Sequence, residues 1–347
     1  MKIPVLLLAA TAFLLPLAGA ESRPAKPAAP AKKKAPAKPA FGKEVTYPCS
    51  FDNSQQKALV YFVPEKTPRP LVVALHTWSC TYANTAGYAA LAARHKCHMI
   101  GPDFRGRNTV GNPLSMGSDA AVADIVSAVE WMKKQCAVDP ERIYLVGGSG
   151  GGHMALLMAG RHPEIWAGVS AWCPISDLKA WCAFHQGKGY GAHIIRNLKG
   201  DPRQDAVAAK EAAHRSPLTW LARAKDLPLD IATGIHDGHK GSVPISHALN
   251  AFNAVVPEAD RVPQAHIEIM VKEERAPEGT PAVRDPAFGN RQIHYRKVSG
   301  NTRVTIFEGA HHILSGTAMV WLLNQRKGKP AVWQSKAASG KAEKLTR

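Results

Sequence analysis

From about residue 44 to residue 325, short uninterrupted apolar runs alternate with stretches of helical period. Residues 71–76 read LVVALH, five apolar side chains in succession. That pattern suits a strand buried on both faces rather than one with a wet side. Residues 58–63 (ALVYFV) and 99–102 (MIGP) predict two further strands, each closed by a proline. Residues 85–95 are alanine-rich and predict a helix. Within residues 118–136, Val122, Ile125, Val126, Val129 and Met132 recur at spacings of three and four, the period of one buried helical face. Residues 142–148 then predict a strand running into a glycine cluster, and 150–161 a helix that stops ahead of His162-Pro163. Residues 167–172, 229–235 and 303–307 predict strands, and 243–255 and 313–324 helices. Such alternation predicts an α/β architecture with a mostly parallel central sheet flanked by helices. A polar, proline- and charge-rich insertion over residues 271–302 precedes the last strand. Structureless loops of that length are uncommon, so a protruding hairpin or a functional lid is expected there.

The two ends follow different patterns. Lys2, an apolar run and Ala18-Gly19-Ala20 make residues 1–20 read as a signal peptide. The run is short for a transmembrane helix, the competing reading. A secreted or periplasmic destination is therefore expected. Residues 21–43 form an Ala/Lys/Pro-rich linker that cannot bury apolar surface. Residues 326–347 form a basic low-complexity tail, which leaves 44–325 for one catalytic-sized domain. The chain's net charge is +17, yet residues 1–43 carry eight Lys/Arg against one Glu, and residues 326–347 seven against one. Most of the positive charge thus sits on the tails, which argues against nucleic-acid binding as the main role. Weak attraction of the tails to an anionic cell envelope is the milder expectation. Six cysteines, an even number, suit an exported chain, and Cys173 with Cys182 is the candidate disulfide. No CxxC or HExxH spacing occurs, so neither a metal nor a cofactor is expected.

Gly147-Gly148-Ser149-Gly150-Gly151 fits GxSxG and falls between a predicted buried strand and a helix, where a nucleophile elbow belongs. Glycines permit the strained turn, which leaves Ser149 exposed and aims the Gly150 amide at a developing oxyanion. A phosphate-binding loop is the alternative, but no lysine stands in Walker spacing. A serine hydroxyl needs a base, and the base an orienting acid. His236-Asp237-Gly238 follows the strand at 229–235, and Glu308-Gly309-Ala310-His311-His312 follows the strand at 303–307. Both loops should open at the sheet edge that carries Ser149, in the order serine, acid, histidine. Asp237 is the candidate acid, with a helix cap or turn as its alternative role. His311 or His312 is the candidate base. His311 is preferred, with His312 as a loop histidine at the substrate. His236 and His239 are expected as site walls and His153 as structural. After residues 71–76 comes His76-Thr77-Trp78-Ser79-Cys80, which offers Trp78 as the second oxyanion amide and His76 as a brace beside the substrate. Trp78, Trp172 and Trp181 would suit stacking of a sugar or aromatic group at the site mouth.

Four segments share a further likeness: Gly101-Pro102-Asp103-Phe104-Arg105-Gly106, DIVSAVEWM at 124–132, Asp139-Pro140-Glu141-Arg142-Ile143 leading into GGSGGGHMAL, and AGVSAWCPISDL at 167–178. Together they resemble the catalytic domain of the prolyl oligopeptidase family, over about residues 71–307 with gaps. The resemblance implies an α/β-hydrolase fold with Ser149 as nucleophile, Asp237 as acid and His311 as base. It also implies a serine hydrolase acting on a peptide, small-molecule or sugar-ester substrate. The chain departs from the family pattern in its acid loop, where Val243 lies beyond a longer His-Lys-Gly-Ser segment. It departs also at Thr77, at Gly150, and in the insertion before the histidine. The stretch between Lys43 and Leu71 is too short for the N-terminal β-propeller of family peptidases. These departures open two alternatives on the same fold: a carboxylic or carbohydrate esterase of acetyl-xylan or feruloyl type, and a non-catalytic binding protein.

Overall fold

Alternation along a strand sends successive side chains to opposite faces of a sheet. Over residues 71–75 both faces are dry, as that continuous apolar run requires. The computed structural model describes residues 42–333. The expected signal segment, residues 21–41 of the linker and residues 334–347 of the tail lie outside the described residues.

In chain order the elements are β1 (Lys43–Pro48), β2 (Gln55–Tyr61), β3 (Arg69–Leu75), α1 (Ala86–Arg94), β4 (His98–Pro102), α2 (Asp119–Gln135), β5 (Val138–Gly148), α3 (Gly150–Arg161) and β6 (Gly168–Trp172). There follow α4 (Leu178–Phe184), α5 (Tyr190–Leu198), α6 (Ala206–His214), β7 (Leu229–Gly234), α7 (Ser246–Val255), α8 (Gln264–Glu273), β8 (Ile293–Ser299), β9 (Thr302–Phe307) and α9 (Ser315–Leu322). The strands form one sheet in the order β1-β2-β4-β3-β5-β6-β7-β9-β8. Every pairing from β4 through β9 is parallel, and antiparallel strands close both edges.

Leu71, Val73 and Leu75 face one core together with the buried sides of α2, α3 and α7, whereas Val72 and Ala74 face the other with α1 and α9. Each buried valine or leucine among these stabilises the fold by roughly 1.5–3 kcal/mol relative to exposure. Helix α2 begins where Ser118 accepts a hydrogen bond from the Ala121 amide, and it buries Val122, Ile125, Val129 and Met132 as their spacing predicts. Helix α3 is buried from Gly150 to Gly160, which explains why its sequence is apolar all round.

Two regions differ from the pattern-based expectation. Residues 178–228, where the sequence pattern predicts no element, hold α4, α5 and α6. These helices build a third core, in which Trp78, Trp181, Ile194, Ala212 and Val243 meet. Only Ala208 and Ala212 of α6 are buried, so small side chains leave a faint amphipathic signal. The expected hairpin or lid at residues 271–302 is half realised. Its second part, β8, pairs antiparallel with β9 and extends the sheet edge instead of protruding. Among the described residues no helix is long and apolar enough to cross a membrane.

Candidate active site

Because β5, β6, β7 and β9 lie side by side and parallel, the loops after them open on one edge. Ser149 follows β5, Cys173 follows β6, Asp237 follows β7 and His311 follows β9.

Ser149 holds φ 57° and ψ −120°, a backbone conformation that L-residues avoid. Two bonds hold it there: its amide donates to the Trp172 carbonyl at 2.8 Å, and its carbonyl accepts from the His153 amide at 2.9 Å. The chain then enters α3 at Gly150. A Cβ at Gly150 would overlap the backbone nitrogen of Trp78, so the missing side chain brings the Trp78 amide against the start of α3. The helix N-terminus adds its own partial positive charge at the same point.

The Trp78 loop is pinned from several sides. Its carbonyl accepts from the Asn108 amide at 3.1 Å, and its indole packs edge-on against Trp181 with centroids 4.7 Å apart. His76 is fully buried and stacks on Phe104 at 4.0 Å, with its ring nitrogens 2.9 Å from the carbonyl oxygens of Thr77 and Asp103. Burial pushes its proton affinity down. His76 therefore braces the loop, and its position corrects the expectation that it faces substrate.

Asp237 is 1% exposed, and its carboxylate is surrounded by donors. Oδ1 accepts from the Gly238 and Val243 amides, each at 3.1 Å, and Oδ2 accepts from the Thr233 hydroxyl at 3.3 Å. The remaining bond is to His311 Nδ1 at 2.8 Å, across 74 residues of chain. A buried carboxylate is tolerated only when so many donors replace water. Engagement through Nδ1 leaves Nε2 of His311 for a second partner. His312 points elsewhere: it is exposed, and its Nδ1 accepts from the Ala310 amide at 3.1 Å within its own turn.

Several contributors carry no signal readable in one sequence. The Trp181 indole donates to the Ser242 carbonyl at 2.7 Å, so α4 holds the acid loop. Cys173, at φ 45°, sits beneath the acid–histidine pair. Its Sγ, the Asp237 carboxylate and the His311 imidazole lie within 4.8 Å of one another. Burial, and then the Asp237 charge, push the Cys173 thiol well up, so it stays protonated, while the other two groups are engaged with each other. The arrangement contains an acid–histidine pair.

Other expectations need correcting. Trp172 is fully buried against Phe288 and Phe307, and Trp78 and Trp181 are also buried, so no indole of the three is presented for stacking. All six cysteines are free, because Cys173 faces the acid loop whereas Cys182 packs toward the Gly191 carbonyl. His153 is buried as expected, with Nε2 2.8 Å from the Arg215 carbonyl oxygen. His236 and His239 are bonded to Glu274 and to the Val271 carbonyl, respectively. A cavity of about 600 Å³ adjoins Asp237 and is lined by Phe184, Pro244, His247 and Val271. A cavity of about 790 Å³ lies within the insertion, away from Ser149.

The sequence profile described as "Prolyl oligopeptidase family" matches residues 89–273, more than half of the chain. The chain belongs to the prolyl oligopeptidase family. Among relatives of this family member, poly(3-hydroxyalkanoate) depolymerase C of Paucimonas lemoignei is 32% identical over 133 residues, covering 35% of this chain and 31% of the relative. Dipeptidyl aminopeptidase BIII of Pseudoxanthomonas mexicana is 28% identical over 186 residues, covering 49% and 26%. The chain thus matches about a quarter to a third of the length of these curated relatives. In structure it is similar to the uncomplexed acylaminoacyl peptidase of Pyrococcus horikoshii, with a TM-score of 0.51 at 15% identity over 62% of this chain and 34% of that one. The α/β-hydrolase fold expected of this prolyl oligopeptidase family member is therefore the fold it has.

Proposed function

We propose that this chain is a serine hydrolase that cleaves ester or amide bonds through an acyl-enzyme. The observation that carries the reading is the 2.8 Å bond between His311 and buried Asp237, on loops neighbouring the strained Ser149 elbow. Ser149 Oγ attacks the carbonyl carbon of the substrate, and His311 Nε2 takes the hydroxyl proton. Asp237 keeps the other proton on Nδ1 and stabilises the imidazolium that forms. The Gly150 and Trp78 amides bind the oxyanion, each donor contributing about 3 kcal/mol in the transition state. His311 then returns its proton to the leaving group, and water resolves the acyl-enzyme by the same steps in reverse.

Both bond classes appear among the relatives, one named for a poly(3-hydroxyalkanoate) and one for dipeptidyl cleavage. The peptidase-like reading follows the family, while the first-named relative favours an ester. We also infer export, from the charged, apolar and small-residue order of residues 1–20.

Labelling with a serine-directed fluorophosphonate tests the mechanism. The wild type should react and Ser149→Ala should not. A folded wild type that resists labelling would leave only a binding role. Comparing p-nitrophenyl acetate, feruloyl esters and Pro- or Ala-linked amides then separates esterase from peptidase.

A further inference from the structure

A second polar cluster lies beside the candidate active site and is not used by its chemistry. His236, the residue before Asp237, has a carboxylate at each ring nitrogen: Glu274 Oε2 lies 2.5 Å from Nδ1, and Glu308 Oε1 lies 3.1 Å from Nε2. The other oxygen of Glu308 is 2.8 Å from His294 Nε2. Four elements meet here: the loop after β7, the end of α8, strand β8 and the end of β9. Glu274 reaches its place with φ 51°, a left-handed conformation unusual for a side-chain-bearing residue.

The facing groups can be named element by element. His239 Nδ1 lies 3.7 Å from Glu274, and the charge of Lys240, also on the acid loop, acts on the same carboxylate. Arg291 donates to the Glu308 carbonyl at 3.0 Å, and Asp237 is the neighbour in sequence. Both glutamates are held below their usual range, Glu274 chiefly by His236 and Glu308 chiefly by His294. Neutral imidazole has one N–H and can donate to one carboxylate only. The imidazolium has two.

We propose that His236, held between Glu274 and Glu308, is a positioning residue that ties the acid loop to the base loop and fastens the insertion to both. The proposal rests on the reading of Asp237 and His311 as acid and base. The tie needs a carboxylate at each ring nitrogen, so removing either charge loosens the loop that carries it.

Amide hydrogen exchange of the full chain over residues 271–312 reads the tie without reference to activity. Glu308→Gln and Glu274→Gln should each exchange on the order of threefold faster than the wild type over this segment. In both variants kcat should fall with KM little changed, and Glu308→Asp should recover part of the loss. Variants that exchange as the wild type does would overturn the proposal. Failure of Ser149 labelling would instead sink the active-site reading, so the two failures are distinguishable.

Discussion

Gly241 lies directly against the carboxylate of Asp237: a Cβ at this position would overlap Oδ1 and stand 3.0 Å from the Cβ of His311. The longer His-Lys-Gly-Ser segment in the acid loop thus folds back over the acid–histidine pair, and glycine is what lets it pass. Gly241→Ala should displace either Asp237 or the loop. We expect kcat to fall by about 100-fold, since a misplacement of about 1 Å costs that much, and stability to fall by about 1–3 kcal/mol, as overpacking does. Steady-state kinetics and thermal melting check both, and a variant with wild-type kcat would contradict this account of the loop.

Gly150 offers a parallel test on the oxyanion side. In Gly150→Ala the new methyl would meet the Trp78 backbone nitrogen and push that amide away. Loss of one oxyanion donor should reduce kcat by roughly 10²–10³-fold while leaving labelling of Ser149 detectable. Unchanged acylation of the variant by p-nitrophenyl acetate would show that Trp78 is not the second donor.

The two adjacent histidines should behave very differently. His311→Ala removes the partner of Asp237 and should lower kcat by roughly 10⁴-fold or more. His312→Ala removes a ring bonded only within its own turn and should change kcat less than about tenfold. Equal losses in both variants would show that the turn acts as a unit and that the proton path is not confined to His311.

Acid stability should be set in part by two buried histidines. Burial holds both His153 and His247 down to about 4. Unfolded histidine takes up its proton near pH 6.5, whereas these take theirs only near 4 when folded. Their neutral burial therefore carries no penalty above pH 6.5, and stability declines as pH falls from there toward 4. The loss should reach on the order of 3 kcal/mol per histidine at the acid end. Chemical denaturation from about pH 7 to 4.5 measures it, and flat stability across that range would refute the assignment.

Much of the scaffold is legible because burial on both faces of a parallel sheet imposes apolar runs, as in residues 71–75 and 143–146. Ser149 is legible for a related reason: a glycine-flanked serine between such a run and a helix leaves few other conformations. Helices α4 to α6 are harder to read, since each is only seven to nine residues long and α6 buries only Ala208 and Ala212. The fate of the aromatics is equally hidden. Trp172 and His76 have side chains that suit a binding wall, but they pack inward because neighbouring strands and the Phe104 ring enclose them.

By itself, the sequence determined the layered α/β arrangement and the order in which serine, acid and histidine candidates follow successive strands. Periodicity and chain order suffice for these, because they are local or one-dimensional properties. Only the tertiary structure decided which histidine faces Asp237, that Gly241 and Cys173 crowd that pair, and that His236 stands between two glutamates. Those relations join residues as far apart in the chain as Cys173 and His311. They depend on strand order and loop packing, which set distances that no spacing along the chain encodes.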